Sequence, residues 1–355
     1  MVRAALAALA LTACAHHARP DCGEHDSLAF DRCIGAALDQ VMVTTGSWAE
    51  VDDAQLRGYV RDVGMRLVRA AGDRERWTFR VVDDPDVRGE SGTGTTVYVT
   101  RGALAKLRDE AELAGLLGHE IGHVLAGHAH DNLVERAREV PVDSHDRDRD
   151  DEIQADELAV LLTARAGYDP RAVETMLRAL GEGEPPGDDD DVHPPWQQRL
   201  VRVRAFASQF PAAGEHNAAA FAAHVHDLVV GEDPRVIHVV GHAIILARAG
   251  LAIDMPPGST AALSSDEIAA AVDGSAVLVK PITRELARYI TPEHDADKLT
   301  LVRTGPHGAV MIAITGPAPT QTLALLRLRA PRADELAQLR PRLMDPTAPR
   351  KLRPE

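Results

Sequence analysis

Residues 119–123 read His-Glu-Ile-Gly-His, and the spacing of the two histidines decides how the surrounding chain is expected to fold. On an α-helix, residues four positions apart lie within about 40° of each other around the axis, so His119 and His123 project from one face. Two neutral imidazoles held in this way suit Zn²⁺, which favours nitrogen and sulfur ligands in tetrahedral geometry. Glu120 then lies beside the metal, where its carboxylate can accept a proton from water rather than ligate the ion.

The residues around this motif have a helical pattern. Apolar residues recur at helical spacing over residues 113–125, and acidic residues within 109–112 occupy the expected first turn, where the helix dipole favours negative charge. The five residues alone are also compatible with a helix that has two surface histidines, because histidine is common in this chain, at 16 of 355 residues. A metal site therefore requires a third ligand.

Residues 151–161 offer that ligand. Glu152 and Asp156 share one helical face, while Ile153 and the leucines of residues 158–162 form the apolar side. A helix that brings Glu152 to the metal completes a set of two histidines and one glutamate, and it leaves a fourth position for water. Asp156 can accept the spare N–H of a ligating imidazole and fix its tautomer. For Glu152 alone, a solvated acidic start of a helix is an equally open interpretation.

A further histidine, His128, is predicted to lie outside the site. It follows His119 by nine residues, which places it about 180° round a continuous helix and away from a metal at His119. The longer spacing HExxHxxGxxH, which would supply a third imidazole, is absent. We therefore expect His128 to be a structural or surface residue.

The motif and several blocks around it resemble the M48 family of zinc metallopeptidases, in particular its exported HtpX- and BepA-like members. The resemblance implies one Zn²⁺ per chain, held by His119, His123 and Glu152, with Glu120 as the general base. The similar blocks occur in family order between residues 50 and 205, at residues 97–104, 109–114, 152–156, 166–170 and 193–200.

The same resemblance implies that His193 and Arg199 are catalytic residues that face the metal. His193 either donates to the developing oxyanion or occupies the fourth metal position and holds the enzyme inactive, and Arg199 supplies positive charge near the tetrahedral intermediate. From the residues alone, His193 is more simply a loop histidine and Arg199 a charge on a helix surface.

Two departures from the family pattern concern the substrate. The strand before Val97, which the resemblance implies pairs with the substrate backbone, is rich in Gly and Thr here, where relatives usually have Asn-Ala and Pro-Gly-Gly. Residues 124–151 are polar and lack the long apolar hairpin of many relatives. We therefore keep a second function open: an envelope chaperone or assembly adaptor whose protease activity is latent or lost.

The first residues indicate export. One basic residue, a short apolar run and Leu11-Thr12-Ala13-Cys14 resemble a lipoprotein signal. We expect residues 1–13 to be a signal peptide and Cys14 to be lipidated, which places the protein in the cell envelope, on the periplasmic side of a bacterial membrane. An alanine-rich start with an incidental cysteine is the alternative. In such a compartment Cys22 and Cys33 can either pair or stay free.

The predicted fold class is α+β: a mainly α zincin catalytic domain with a small edge β-hairpin, followed by a small β-rich domain. The predicted boundaries are 14–45 for a linker, 46–212 for the metallopeptidase domain, 213–345 for the accessory domain and 346–355 for a tail. In the accessory domain we expect strands near residues 236–240, 243–246, 251–253, 276–279, 299–303 and 309–314, and helices near 216–230, 265–272, 283–290 and 319–328.

The sequence thus predicts a zinc endopeptidase of the bacterial cell envelope that acts in protein quality control. Its expected partners are unfolded or misassembled polypeptides, and the membrane through the N-terminal lipid. Nucleic acid is not expected, because the net charge is −15 and no basic stripe is evident.

Overall fold

The computed structural model describes residue 22 and residues 28–45, 49–92, 94–128, 144–181, 195–264 and 267–346. The predicted signal peptide, Cys14 and His193 lie outside these residues. The chain divides into two compact units, a larger one built on residues 49–228 with 19–40, and a smaller one built on residues 229–342. The fold class is α+β, as predicted.

The larger unit combines helices with one small sheet. Strand β3 lies in the centre of the sheet, parallel to β1 and antiparallel to the edge strand β2, so the predicted edge hairpin is β2–β3. The elements are α1 (Leu28–Thr45, of which residues 28–40 belong to this unit), α2 (Ala54–Ala71), β1 (Thr78–Val82), β2 (Gly89–Ser91), β3 (Thr96–Thr100), α3 (Arg101–Leu104), α4 (Glu110–Ala126), α5 (Ser144–Arg165), α6 (Ala172–Gly181), α7 (Trp196–Ala207) and α8 (Ala218–Val225).

The larger unit extends beyond the boundary predicted at residue 212. Helix α8 belongs to it because Phe221 and Val225 are buried, and the helix packs against α2 and α4. At the other end of the unit, Cys22 and Cys33 form a disulfide with Cα atoms 5.5 Å apart, which ties residue 22 to α1.

Helix α4 contains the histidine motif and is defined by its two caps. The Asp109 carboxylate accepts a hydrogen bond from the Glu112 backbone N–H at 2.9 Å, and Gly127 ends the helix in the left-handed region, at a φ of 83°. An acidic N-cap and a left-handed glycine after the last turn are the usual start and stop signals of a helix. Residues 110–122 between these caps are buried, so α4 is the central helix of the unit.

Glycines let α4 and α5 approach closely. A Cβ atom at Gly122 would lie 3.1 Å from the Ala155 carbonyl oxygen, and one at Gly118 would lie 3.3 Å from the Ala159 Cα atom. Small residues four apart on each helix therefore face each other, which brings the backbones together. This contact sets the distance between the histidine motif and Glu152.

The smaller unit consists mainly of antiparallel sheets. One has the strand order β10-β11-β12-β9-β8-β7 and the other β13-β6-β5-β4, and apolar residues of both contribute to one buried cluster. The elements are β4 (His238–Val240), β5 (Ala243–Leu246), β6 (Leu251–Asp254), β7 (Thr260–Ser264), β8 (Glu267–Val272), β9 (Ser275–Ile282), β10 (Glu293–His294), β11 (Lys298–Thr304), β12 (Ala309–Thr315), α9 (Pro319–Leu325), β13 (Arg327–Arg329) and α10 (Ala333–Leu336).

The prediction of a helix at residues 265–272 was wrong, because the described part of this segment is strand β8. The alanine-rich segment fits a helical pattern, but its burial alternates: Ile268, Ala270 and Val272 are buried, and the residues between them are exposed. This alternation is the pattern of a strand in a sheet with one covered face, and β8 pairs with both β7 and β9. The helix predicted at 283–290 is only one 3₁₀ turn, Leu286–Arg288.

Across the described part of the chain, no helix is both long and apolar enough to cross a bilayer.

Candidate metal centre

Three predicted ligand residues converge between α4 and α5. The Nε2 atoms of His119 and His123 are 3.1 Å apart, and they lie 3.4 and 3.3 Å from the Glu152 Oε2 and Oε1 atoms, respectively. Metal–ligand bonds of 2.0–2.2 Å in a tetrahedral Zn²⁺ site place neighbouring ligand atoms about 3.3–3.6 Å apart, close to the observed distances. The donor set and its spacing therefore fit one zinc ion.

The charges in and beside this cluster also fit a divalent cation. Glu120, Glu152 and Asp156 are buried and carry three negative charges when ionised, and the guanidinium of Arg199 supplies one positive charge. With the two imidazoles neutral, as metal ligands are, the sum is −2. Buried charges are costly unless they are compensated. A divalent ion held by the three ligands would neutralise the remainder.

Asp156 lies where the sequence predicted it, behind the ligand His119. Its Oδ1 atom is 3.0 Å from His119 Nδ1, so the carboxylate accepts the N–H and leaves Nε2 free for a metal. Burial opposes protonation of His119, but its hydrogen bonds to Asp156 and Glu152 outweigh burial and raise its pKa to about 10 in the metal-free protein. Burial likewise opposes ionisation of Asp156, and hydrogen bonds from Arg199 and His119 nevertheless hold its pKa below the usual value.

Arg199 contacts both carboxylates of α5 at the ligand cluster. It donates from Nε and Nη2 to the Asp156 carboxylate, at 2.8 and 2.6 Å, and its Nη1 is 2.9 Å from Glu152 Oε2. A guanidinium is a rigid fork suited to such bidentate contacts. Arg199 therefore holds the two carboxylates of α5 beside the ligand cluster, and its contribution to stabilising the oxyanion stays a prediction.

Glu120 lies on α4 beside the edge strand β2. A Cβ atom at Gly89 would lie 2.9 Å from Glu120 Oε1 and 2.7 Å from Leu116 Cδ1. The absence of a side chain at Gly89 therefore lets the β2 backbone run directly past the carboxylate. This arrangement places the predicted base next to the strand that was expected to pair with substrate.

His128 was wrongly predicted to point away from the site. It is buried, and its Nδ1 atom lies 2.9 Å from His123 Nδ1. The 180° estimate assumed a continuous helix, whereas α4 ends at Ala126 and the left-handed Gly127 redirects the chain. Gly127 directly after the last apolar residue was the stop signal in the sequence that would have corrected this estimate.

Comparisons with known proteins support the resemblance to the M48 metallopeptidases. Residues 54–141 match the model of peptidase family M48. The mitochondrial metalloendopeptidase OMA1 of Arabidopsis thaliana is 30% identical over 145 residues, which is 35% of this chain and 30% of that protein. A putative beta-barrel assembly-enhancing protease of Vibrio cholerae is 24% identical over 198 residues, 45% of this chain and 41% of the relative. The beta-barrel assembly-enhancing protease of Escherichia coli K12 is 24% identical over 202 residues.

The chain thus spans less than half the length of these curated relatives. The matched family region contains the His119–His123 motif, and Glu152 follows it on α5. These findings agree with the family predicted from the sequence: residues 54–141 of the chain match peptidase family M48.

Proposed function

We propose that this protein is a zinc-dependent endopeptidase. The observation that supports the proposal best is the convergence of His119, His123 and Glu152, with ligand atoms within 4.8 Å of one another, on the helix pair that also presents Glu120. Three protein ligands that leave one position open, together with an adjacent carboxylate, are typical of catalytic rather than structural zinc sites.

The residues of the chain have distinct parts in the proposed hydrolysis. A bound zinc ion would polarise the scissile carbonyl and a water molecule. Glu120 accepts the proton of the attacking water and passes it to the leaving amine. Asp156 holds the tautomer of His119, and Arg199 holds Glu152 and Asp156 in place. An extended polypeptide that adds to the edge strand β2 would run past Glu120.

The test compares the wild type with Glu120→Gln on an unfolded polypeptide labelled with a quenched fluorophore. Because an amide cannot accept the proton of water, cleavage is expected to fall by about 10²–10⁴-fold, while zinc content stays near one per chain. Glu157→Gln, on the half-buried side of α5, is the control and should cleave like the wild type. Cleavage by Glu120→Gln at the wild-type rate would mean that the base lies elsewhere.

We also propose that the protein acts in the bacterial cell envelope on unfolded or misassembled polypeptides, anchored by a lipid on Cys14. The support is the lipobox-like sequence ending in Cys14, and the relatives from Vibrio cholerae and Escherichia coli, whose names describe beta-barrel assembly. Cys14→Ser removes the residue that would carry the acyl chains, and stable anchoring requires more than one such chain. The variant should therefore move from the membrane to the soluble envelope fraction. A variant that stays with the membranes would refute lipidation at Cys14.

The same purified protein and unfolded polypeptide distinguish the alternative function, a chaperone or adaptor. A zinc-loaded wild type that suppresses aggregation of an unfolded polypeptide but cleaves none would favour it.

A further inference from the structure

The two histidine ligands have different partners behind them. His119 directs its Nδ1 atom to the carboxylate of Asp156, whereas His123 directs its Nδ1 atom to the imidazole of His128, at 2.9 Å. The other nitrogen of His128, Nε2, lies 2.9 Å from Gln154 Oε1 and 3.4 Å from Asp151 Oδ1. His128 is thus a buried ring with both nitrogens in contact with polar atoms.

These contacts are consistent with a single pattern of protons. If Nε2 of His123 ligates a metal, the ring proton of His123 is on Nδ1, and this N–H donates a hydrogen bond to the unprotonated Nδ1 of His128. The proton of His128 is then on Nε2, where it meets two acceptor atoms from α5. Each contact from His123 through His128 to Gln154 then pairs one donor with one acceptor.

We propose that His128 is a positioning residue for the metal ligand His123, fixing the tautomer and the ring orientation of His123 and connecting it to α5. The inference rests on the proposed zinc site, but it does not depend on peptidase activity. Partners behind ligating histidines usually strengthen metal binding, and their loss costs about 10–100-fold in affinity.

A purely structural role for His128 makes a different prediction. If the ring only filled space, a side chain of similar volume would preserve zinc binding whether or not it accepted a hydrogen bond. If the ring acts as an acceptor, zinc affinity follows the presence of an acceptor atom. His128→Leu removes the acceptor and His128→Gln retains one, so the pair of variants separates the two roles.

The test is a competition between the purified full chain and a chromophoric chelator for Zn²⁺. We expect His128→Leu to bind zinc about 10–100-fold more weakly than the wild type, and His128→Gln to recover part of the loss. In the zinc-loaded protein, ¹⁵N NMR should show the His123 proton on Nδ1 in the wild type and a mixture of tautomers in His128→Leu. Equal affinity of His128→Leu and the wild type, or an equal loss in both variants, would overturn the proposal.

A second route avoids the buried position. Gln154 is exposed, so Gln154→Leu should fold normally. It should weaken zinc binding less than His128→Leu does, because Asp151 remains as an acceptor for His128. If His128→Leu does not fold, unchanged zinc affinity in a Gln154→Leu/Asp151→Leu double variant overturns the proposal. A wild type that binds no zinc would refute the proposed function itself, whereas a zinc-binding wild type with an unaffected His128→Leu refutes only this inference.

Discussion

The close contact between α4 and α5 leads to a prediction about Gly122, a residue that contributes no ligand atom. A Cβ atom at Gly122 would lie 3.1 Å from the Ala155 carbonyl oxygen, 3.2 Å from Leu158 Cβ and 3.3 Å from Ala155 Cα, whereas ordinary contacts begin at 3.4 Å. Gly122→Ala therefore forces the two helices about 0.3 Å apart. Since His119 and His123 are on α4 and Glu152 is on α5, the ligand set has to open by a similar distance.

Two opposing contributions determine how much Gly122→Ala changes the stability of the protein. Overpacking costs about 1–3 kcal/mol, and replacing glycine by alanine inside a helix returns up to about 1 kcal/mol. With the full return, the metal-free variant should lose about 0–2 kcal/mol of unfolding free energy. Because metal–ligand distances tolerate only about 0.2 Å, the strain should instead reduce zinc affinity by about 5- to 100-fold, as 1.4 kcal/mol corresponds to a factor of ten.

The matched control is Gly115→Ala on the same helix. A Cβ atom there would lie 3.4 Å from Val173 Cα and Cγ2, in ordinary contact, and it would face α6 instead of α5. Zinc affinity is measured for both variants by chelator competition, and stability is measured by urea unfolding of the metal-free proteins. If Gly122→Ala and Gly115→Ala bind zinc within twofold of each other, the helix contact does not set the ligand geometry.

Two further predictions concern Gly89 and His216. Gly89→Ala should reduce peptide cleavage by at least tenfold with little change in zinc content or melting temperature, since the new Cβ displaces Glu120 Oε1; a steady-state assay with wild-type kcat and KM would contradict this. His216 bridges Asp109 and Asp169 at 2.8 and 3.4 Å, and the hydrogen bond to Asp109 raises its pKa, with partial burial opposing. This contribution is present in full below the unfolded pKa near 6.5 and is lost as pH rises through the higher folded value. His216→Gln should therefore cost more unfolding free energy at pH 5.5 than at pH 9, by less than about 1 kcal/mol because the ring is half exposed. Urea unfolding at the two pH values measures this cost, and an equal cost at both would exclude the ion pairs.

The sequence alone predicted the parts of the site whose geometry is set within a single helix. The spacing of His119 and His123, and that of Glu152 and Asp156, each follow from the turn of one helix. The family resemblance then related these two segments, which the spacing within either one does not do. The observed ligand cluster therefore contains the three ligand residues named from the sequence.

The remaining features depend on contacts that no local pattern encodes. The interactions of Arg199 with Asp156 and Glu152 join α7 to α5, across 43 residues in the case of Asp156. The misplacement of His128 arose because one left-handed residue, Gly127, changes the direction of the chain. In β8, alanine is compatible with both helix and strand, and pairing with two neighbouring strands decided the outcome.

The site is organised mainly by one helix. Helix α5 supplies the ligand Glu152 and the partner of His119, Asp156, and on the same helix Gln154 contacts the partner of His123. Moving α5 away from α4 would thus disturb all three ligands at once, because each of them is either on α5 or oriented through it. The small residues between the two helices therefore do more than fill the core: the spacing that they permit determines whether the buried carboxylates and imidazoles can share one cation. Packing and metal chemistry are coupled through this contact, so a substitution at the helix interface should alter zinc binding before it alters the fold.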